Sequence, residues 1–483
     1  MNTKFILYLI TSIFKYFAYS LAVPLLISLY YQEGFKIYAS YLFPMILLIM
    51  LSHFSSKDYP EEQEFYIKDA FFVVALTWVL IPFLSALPFV FSNQIPNIID
   101  AFFETVSGYT TTGASILDDV EALSKSMVFW RSFTHFIGGL GVLVFVLAIL
   151  PKGKNKALYL LKAEVPGPTV GKIAAKVSYN SKILIIIYCV LTVVIAILLW
   201  LGGMDFLDAW VHSFGTAGTG GFSSKNLGIA HYNSSYIDWV ITTGMILSGI
   251  NFNLFYLLIL GNIKQVFKSE ELRYYLMTIV SCILLICWDI SSMYTSFWDM
   301  LRDASFSVAT VITCTGFSIV DFDKWPALSH TIIITLMFIG GCAGSTAGGF
   351  KFTRVVLAMK KIFSEFKKIG QPSKIINMKL DGKILEKETT DGVGTYFMIY
   401  TFTVIILVLL ISPDSNSFLT ALTAVATTFN NVGVGLGDVG PGHSFSSFTY
   451  FSKIVFSIGM ILGRLEILPL LILFLPRTYR KIN

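Results

Sequence analysis

Four short stretches carry residue types that an apolar chain has little reason to hold: TTTGAS at 110–115, GTGGFSS at 218–224, TCTGFSI at 313–319 and NNVGVGLG at 430–437. Each sets hydroxyl, thiol or amide side chains beside one or more glycines. The chemistry open to such a stretch is the display of backbone carbonyls. Glycine has no Cβ to collide across a narrow axis, so the chain can turn its C=O groups inward, and a ring of these oxygens can replace the water shell of a dehydrated cation. Aligned on that requirement, Thr111, Thr112 and Gly113 share a level with Thr219, Gly220 and Gly221, with Cys314, Thr315 and Gly316, and with Asn431, Val432 and Gly433. The fourth stretch departs most, with two asparagines and a second glycine, Gly435. Any one of them could be an ordinary polar helix connection. Four at equivalent places in a repeat argue against that.

The elements that must position them are membrane helices. The chain has 483 residues, 55% of them hydrophobic and 13% charged, with a mean hydropathy of +0.71, far outside soluble averages. Apolar runs near 5–30, 36–54, 68–91, 127–150, 183–202, 236–261, 272–295, 327–350, 394–412 and 448–475 predict ten spanning segments, each near the roughly 20 residues a bilayer crossing needs. The first run is longer than a signal-peptide core, holds Lys15 and is followed at once by another apolar run, so it reads as a retained helix. The five cysteines are scattered, without a metal-like pair or a disulfide framework. No nucleophile–base pair or basic-aromatic surface points to catalysis or to nucleic acid.

Charge sets the orientation. Lysines and arginines collect in the loops at 152–182, 262–273 and 351–390 and at 477–481, whereas aspartates and glutamates dominate the opposite loops. By the positive-inside rule the basic loops and both termini are expected on the cytoplasmic side. An acidic outer face attracts cations.

Each odd stretch follows a semi-apolar segment too short to span, at 98–109, 205–217, 299–312 and 416–429. The expected fold is therefore an all-α polytopic membrane protein: four pseudo-repeated helix–pore-helix–helix units around one central pore, plus two extra N-terminal transmembrane helices. The expected boundaries are 1–56 for those two helices, then 57–165, 166–265, 266–385 (with a broken inner helix) and 386–483 for the four pore units. Non-helical backbone is tolerated at membrane depth only where protein buries it or a water-filled cavity meets it.

Two further features stand out. In GGCAGSTAGGFK, 340–351, five glycines interrupt an apolar run; the stretch lacks the Gly-Lys-Ser/Thr ending and the preceding strand of a nucleotide loop, and a glycine packing kink is the plain alternative. Arg464 lies within the last apolar run, where a central charge costs about 2.5–3.5 kcal/mol on the mildest insertion scale. Neutralisation by Glu466 is the alternative, although residues two apart do not face each other on a helix. Asn251 and Asn253 either glue helices or line an inner cavity. Arg131, beside Trp130, reads as an outer interfacial anchor, and His135 as a helix–helix hydrogen bond.

These motifs resemble the Trk/Ktr/HKT superfamily of potassium transporters over nearly the whole chain. Within it, the two leading helices and the stretches SGYTTTGAS, GTAGTGGFSS, GINFNLFYLLILGN, GGCAGSTAGGFK and NNVGVGLGD are similar to the TrkH/TrkG branch. The resemblance implies K⁺ as the transported ion at the filter residues named above, with no covalently bound cofactor. It also implies a homodimer in the bacterial inner membrane and a cytosolic nucleotide-binding regulatory ring of the TrkA type. It assigns Gly340, Gly341, Gly344, Ser345, Thr346, Gly348, Gly349 and Lys351 to an intramembrane gating loop beneath the filter, with Lys351 near the cytoplasmic exit and Arg464 in the permeation path. A unit charge some 10 Å from an ion opposes it by about 1–2 kcal/mol at an effective dielectric near 20. In the family a serine in place of the first filter glycine accompanies Na⁺ permeation, so Gly113 argues for K⁺. The rival is a proton- or sodium-coupled secondary transporter, which would bury carboxylates at the midplane; apart from Glu466 and Asp289 the apolar runs hold almost none.

Overall fold

The computed structural model describes residues 3–55, 67–141, 177–370, 378–385 and 387–471; the basic segment at 152–176 and the C-terminal basic cluster lie outside them. The described residues are mostly helical. It begins with α1 (Thr3–Ser20), α2 (Ala22–Tyr30) and α3 (Phe35–Ser55). Four units follow, each an outer helix, a short pore helix, a turn and an inner helix. The first is α4 (Ile67–Ser92), α5 (Ile98–Tyr109) and α6 (Lys125–Leu140). The second is α7 (Val177–Leu201), α8 (Phe206–Gly218) and a bent inner pair, α9 (Ser235–Ser248) and α10 (Phe252–Ile259), followed by the short α11 (Ile263–Lys268). The third is α12 (Glu270–Asp289), α13 (Phe297–Ile312), α14 (Ala327–Ile339) and, past a break, α15 (Phe352–Gly370). A small antiparallel hairpin, β1 (Lys379–Leu380) and β2 (Lys383–Ile384), precedes the fourth unit. That unit is α16 (Lys387–Ile411), α17 (Phe418–Phe429), α18 (Tyr450–Arg464) and the final turn α19 (Leu468–Leu471).

Six helices among the described residues are long and apolar enough to cross a membrane, or seven if the α9–α10 pair counts as one span. The ten expected spans exceed this because three of the inner helices are not continuous rods, and because residues 142–150 of the expected span at 127–150 lie outside the described residues. The run at 236–261 bends by 92° between α9 and α10, where Gly249 ends one helix and the Asn251 side chain caps the next by accepting from Asn253 N. The run at 327–350 stops at Ile339, with Gly340 at φ 73°. The run at 448–475 breaks after Arg464, where Glu466 and Ile467 take φ of 58° and 66°.

Three of the four short pore helices begin on capping side chains, α8 being the exception. Asn97 accepts from Ile99 N and Asp100 N, Ser296 from Asp299 N and Ser417 from Thr420 N, which satisfies orphan donors and fixes where each helix starts. Each pore helix packs between the outer helix of its own unit and the inner helix of the unit before it: α8 on α7 and α6, α13 on α12 and α9, α17 on α16 and α14. The circle closes with α5 on α4 and α18. The four C-terminal ends therefore converge, and their carbonyl dipoles point toward one axis.

Candidate cation filter and intramembrane loop

The same backbone turn ends all four pore helices. Thr111, Thr219, Cys314 and Asn431 occupy the left-handed region with φ of 54°, 54°, 56° and 57°. Their N–H groups reach back to Gly108 O, Thr216 O, Val311 O and Thr428 O. The next N–H, of Thr112, Gly220, Thr315 and Val432, reaches Ser107 O, Gly215 O, Thr310 O and Thr427 O at 2.9, 2.7, 2.8 and 2.8 Å. This paired closure satisfies orphan carbonyls at a helix end and reverses the chain. A left-handed non-glycine residue costs about 1–3 kcal/mol, so the surrounding packing must hold each in place. All four are fully buried.

The glycine that follows is constrained by its neighbour. Gly113, Gly221, Gly316 and Gly433 have φ of 83°, 80°, 86° and 87°. A Cβ on Gly113 would lie 2.1 Å from Gly220 O, on Gly221 2.1 Å from Thr315 O, on Gly316 2.2 Å from Val432 O, and on Gly433 2.1 Å from Thr112 O. Each glycine thus abuts the carbonyl of the residue before the next unit's glycine, around a closed ring. The twelve residues aligned from the sequence are brought together at one level, the fourth stretch with Asn431 and Gly433 in register. Gly113, Gly221 and Gly316 open outward onto a cavity of about 840 Å³ whose wall includes Asp118, Asp321 and Asp438.

Polar side chains behind the ring hold the strands. Thr110 and Thr112 hydroxyls lie 2.7 Å apart, and so do those of Thr313 and Thr315. Asn431 Nδ2 donates to Thr112 Oγ1 at 2.9 Å and to Met460 O at 3.1 Å. His135 faces Gly108 O through Nδ1 at 2.7 Å, which places the proton there, and Nε2 accepts from Phe222 N at 3.2 Å. The expected helix–helix hydrogen bond is therefore also a strand support.

Arg131 requires correction. It is no interfacial anchor: it is 3% exposed and forms an ion pair with Glu104. Its aromatic neighbour Trp130 is buried as well, donating to Ser85 O. By sequence Glu104 is one more acidic residue of the outer loops, and His212, whose Nε2 lies 2.9 Å from Ser223 Oγ, is one more polar residue of a pore helix. A usable signal existed in the repeat, since Glu104 and His212 each stand nine residues before a ring glycine and Ser115 and Ser223 two after it.

The break at 340–351 packs against the inner side of the ring. Thr346 Oγ1 donates to Ala217 O at 3.1 Å and Ser248 O at 3.2 Å, and a Cβ on Gly348 would meet Asn430 O at 2.2 Å. Gly340 and Gly349 touch each other's backbone, with φ of 73° and 81°, so the loop leaves and re-enters through one neck. Gly344, at φ 69°, lies against Asn251, and Ser345 Oγ folds back on Cys342 O at 2.6 Å. Backbone bonds from Cys342 N to Gly249 O and from Phe252 N to Gly344 O, both 3.0 Å, lace the loop to the α9–α10 bend. A third tie runs from Phe352 N to Gly341 O at 2.8 Å. Glu271 Oε1 accepts from Ala343 N at 2.8 Å and from Thr353 Oγ1. Lys351, the last residue of the stretch, is 2% exposed and donates to Ala347 O.

Arg464 joins these parts. Nη1 donates to Thr346 O at 2.8 Å and to Thr111 Oγ1 at 3.2 Å, and Nη2 to Gly138 O at 2.7 Å. Glu466 pairs with Arg354, whose guanidinium also lies 4.0 Å from the centre of the Tyr396 ring. Among the described residues no cluster of three or more histidine, cysteine or carboxylate side chains could hold a metal ion; the candidate ligands are main-chain oxygens.

The fold is that of a polytopic helical membrane protein in which four short helices end on one ring of glycines, each set against a carbonyl of the next unit. A family model described as TrkH, cation transport protein, matches residues 39–297 and 271–479, and the chain belongs to that family: it is a transporter, not an enzyme. It is 33% identical over 475 residues to the Trk system potassium uptake protein TrkH of Escherichia coli K12, covering 96% of this chain and 97% of that one. It is 31% identical over 473 residues to the Trk system potassium uptake protein TrkG of the same organism, covering 95% and 96%. The crystal structure of the potassium transporter TrkH from Vibrio parahaemolyticus superposes with a TM-score of 0.88 at 29% identity, over 99% of this chain and 100% of that one.

Proposed function

We propose that this chain takes up K⁺ through a channel-like pore whose selectivity filter is the ring of Thr111–Gly113, Thr219–Gly221, Cys314–Gly316 and Asn431–Gly433. The observation that carries the reading is the closed circuit of glycine against carbonyl, repeated four times within 0.1 Å. Carbonyls so held can replace a K⁺ hydration shell. The transported ion itself is supported by relatives bearing the name potassium uptake protein. A coupled secondary transporter is disfavoured because Glu466 is already paired with Arg354 and Asp289 accepts from Ser329 N and Oγ.

The loop at 340–351 and Arg464 act as the gate. The loop spans the inner side of the ring, and Arg464 fastens Thr346 to both the first filter stretch and α6. The protein works in the bacterial inner membrane with both termini in the cytoplasm, as a homodimer regulated by a cytosolic nucleotide-binding ring of the TrkA type. The basic loops at 262–273 and 351–390 give such a partner its surface.

The test is Gly113→Ser. A side chain cannot enter a space of 2.1 Å beside Gly220 O without displacing the ring, so the K⁺/Na⁺ permeability ratio of the purified chain in planar bilayers should fall. A ratio equal to wild type overturns the filter assignment. In liposomes with pH clamped, saturating K⁺ flux from this chain alone is expected; flux that requires a proton or Na⁺ gradient would favour the coupled transporter.

A further inference from the structure

We propose that Glu104 and Arg131 are a positioning pair that fixes the spacing of the first two filter strands and thereby sets ion selectivity. The proposal rests on the filter reading above and adds to it two residues that do not touch the ion. Both side chains are buried, Glu104 at 1% and Arg131 at 3% exposure. Glu104 holds the first strand from behind: its carboxylate accepts from Ser115 Oγ at 3.0 Å and from Ile116 N at 3.0 Å, two and three residues past Gly113. Arg131 donates through Nε to Glu104 and through Nη1 to Ser223 O at 3.1 Å, two residues past Gly221. Its guanidinium also lies 3.7 Å from the centre of the Phe222 ring.

The ion pair therefore couples two strands that the chain separates by more than a hundred residues. The preference of a carbonyl ring for K⁺ over Na⁺ is set by the size of the cavity or by the number and field strength of the carbonyls around the ion, and either depends on how the strands are spaced. Charge-assisted bonds, being shorter and stronger than neutral ones, hold that spacing from behind. Polarity matters as well as charge, because Ser115 and Ile116 need an acceptor whereas Ser223 O needs a donor. The equivalent places elsewhere hold His212 with Ser223, Ser307 with Ser318, and Ala424 with Gly435, so the brace is asymmetric around the ring. Arg131 also borders the outer cavity, where its charge would repel entering cations without Glu104 beside it.

Three variants of the full-length purified chain test this by bilayer reversal potentials and thermal unfolding: Arg131→Lys, the double variant Glu104→Gln/Arg131→Met, and Gly113→Ser as the filter control. The double variant leaves no orphaned buried charge, so it folds even where breaking the pair singly does not. The K⁺/Na⁺ permeability ratio should fall about tenfold in Arg131→Lys and in the double variant, the size expected when a hydrogen bond to a charged group no longer discriminates between two ions. A lower unfolding midpoint with a wild-type ratio in the double variant, while Gly113→Ser loses selectivity, overturns the positioning role and leaves the filter standing. An unchanged ratio in Gly113→Ser overturns the filter reading and the pair with it.

Discussion

Asp118 stands on the wall of the outer cavity and accepts hydrogen bonds from Ser444 and, at 2.8 Å, from Ser446. The Ser444 and Ser446 hydroxyls hold its carboxyl below the usual carboxylate value. A depressed value means the folded state favours the charged form. Its contribution is present above the ordinary aspartate pKa of about 3.9 and disappears as pH falls through the lower folded value. The unfolding midpoint of Asp118→Asn should therefore lie below wild type at neutral pH, and the two should merge on acidification; a gap that persists in acid would show that the bonds do not depend on charge. Legibility differed sharply among single residues. The ring glycines could be found from sequence because positive φ and a carbonyl near 2 Å leave no other residue type. The Glu104–Arg131 pair was only half legible: Glu104 stands nine residues before Gly113, as His212 does before Gly221, but which strands the two ends of the pair touch is not encoded in spacing along one chain.

Among elements, the pore helices were legible because 12 to 16 residues of half-apolar sequence are too short to span. The inner-helix breaks were only half legible. Hydropathy sees that 236–261 is apolar but is blind to direction, so the 92° bend at Gly249–Asn251 read as one rod. The break at 340–351 announced itself through its glycines, yet its attachment to that same bend did not. This attachment gives the proposed gate a mechanical consequence. Arg464→Ala should raise basal K⁺ flux, because each lost bond from a guanidinium costs roughly 1.5–3 kcal/mol, or about 10- to 150-fold in a closed–open equilibrium. Shortening the loop within 342–348 should do the same, and the two changes together should raise flux by less than the product of the single effects, since both release Thr346. Single-channel recording with thermal unfolding on the same preparations decides the matter. A destabilised Arg464→Ala protein that gates as wild type would show that the arginine serves packing alone.

At the scale of the molecule, the sequence disclosed four repeats but not how they close. Closure rests on α18 packing against α5 and on Gly433 meeting Thr112 O, contacts between residues more than three hundred apart. Because each unit supplies both a glycine and the carbonyl that confines its neighbour's glycine, no unit can form its share of the ring alone. A bound ion must then stabilise the whole assembly, since a ligand that binds only the folded state stabilises it by RT ln(1 + [L]/Kd), about 2.7 kcal/mol at a hundredfold excess over Kd. Replacing Na⁺ by K⁺ should raise the unfolding midpoint of the detergent-purified protein. That increment should vanish when any one of Gly113, Gly221, Gly316 or Gly433 is changed to alanine, although the four lie in different units. By contrast, Gly442→Ala, at a position with nothing within 4 Å of the added Cβ, should lower the midpoint through its positive φ while leaving the K⁺ increment intact. A ring glycine whose replacement preserves the K⁺ increment would take its stretch out of the ion site and leave a ring of three.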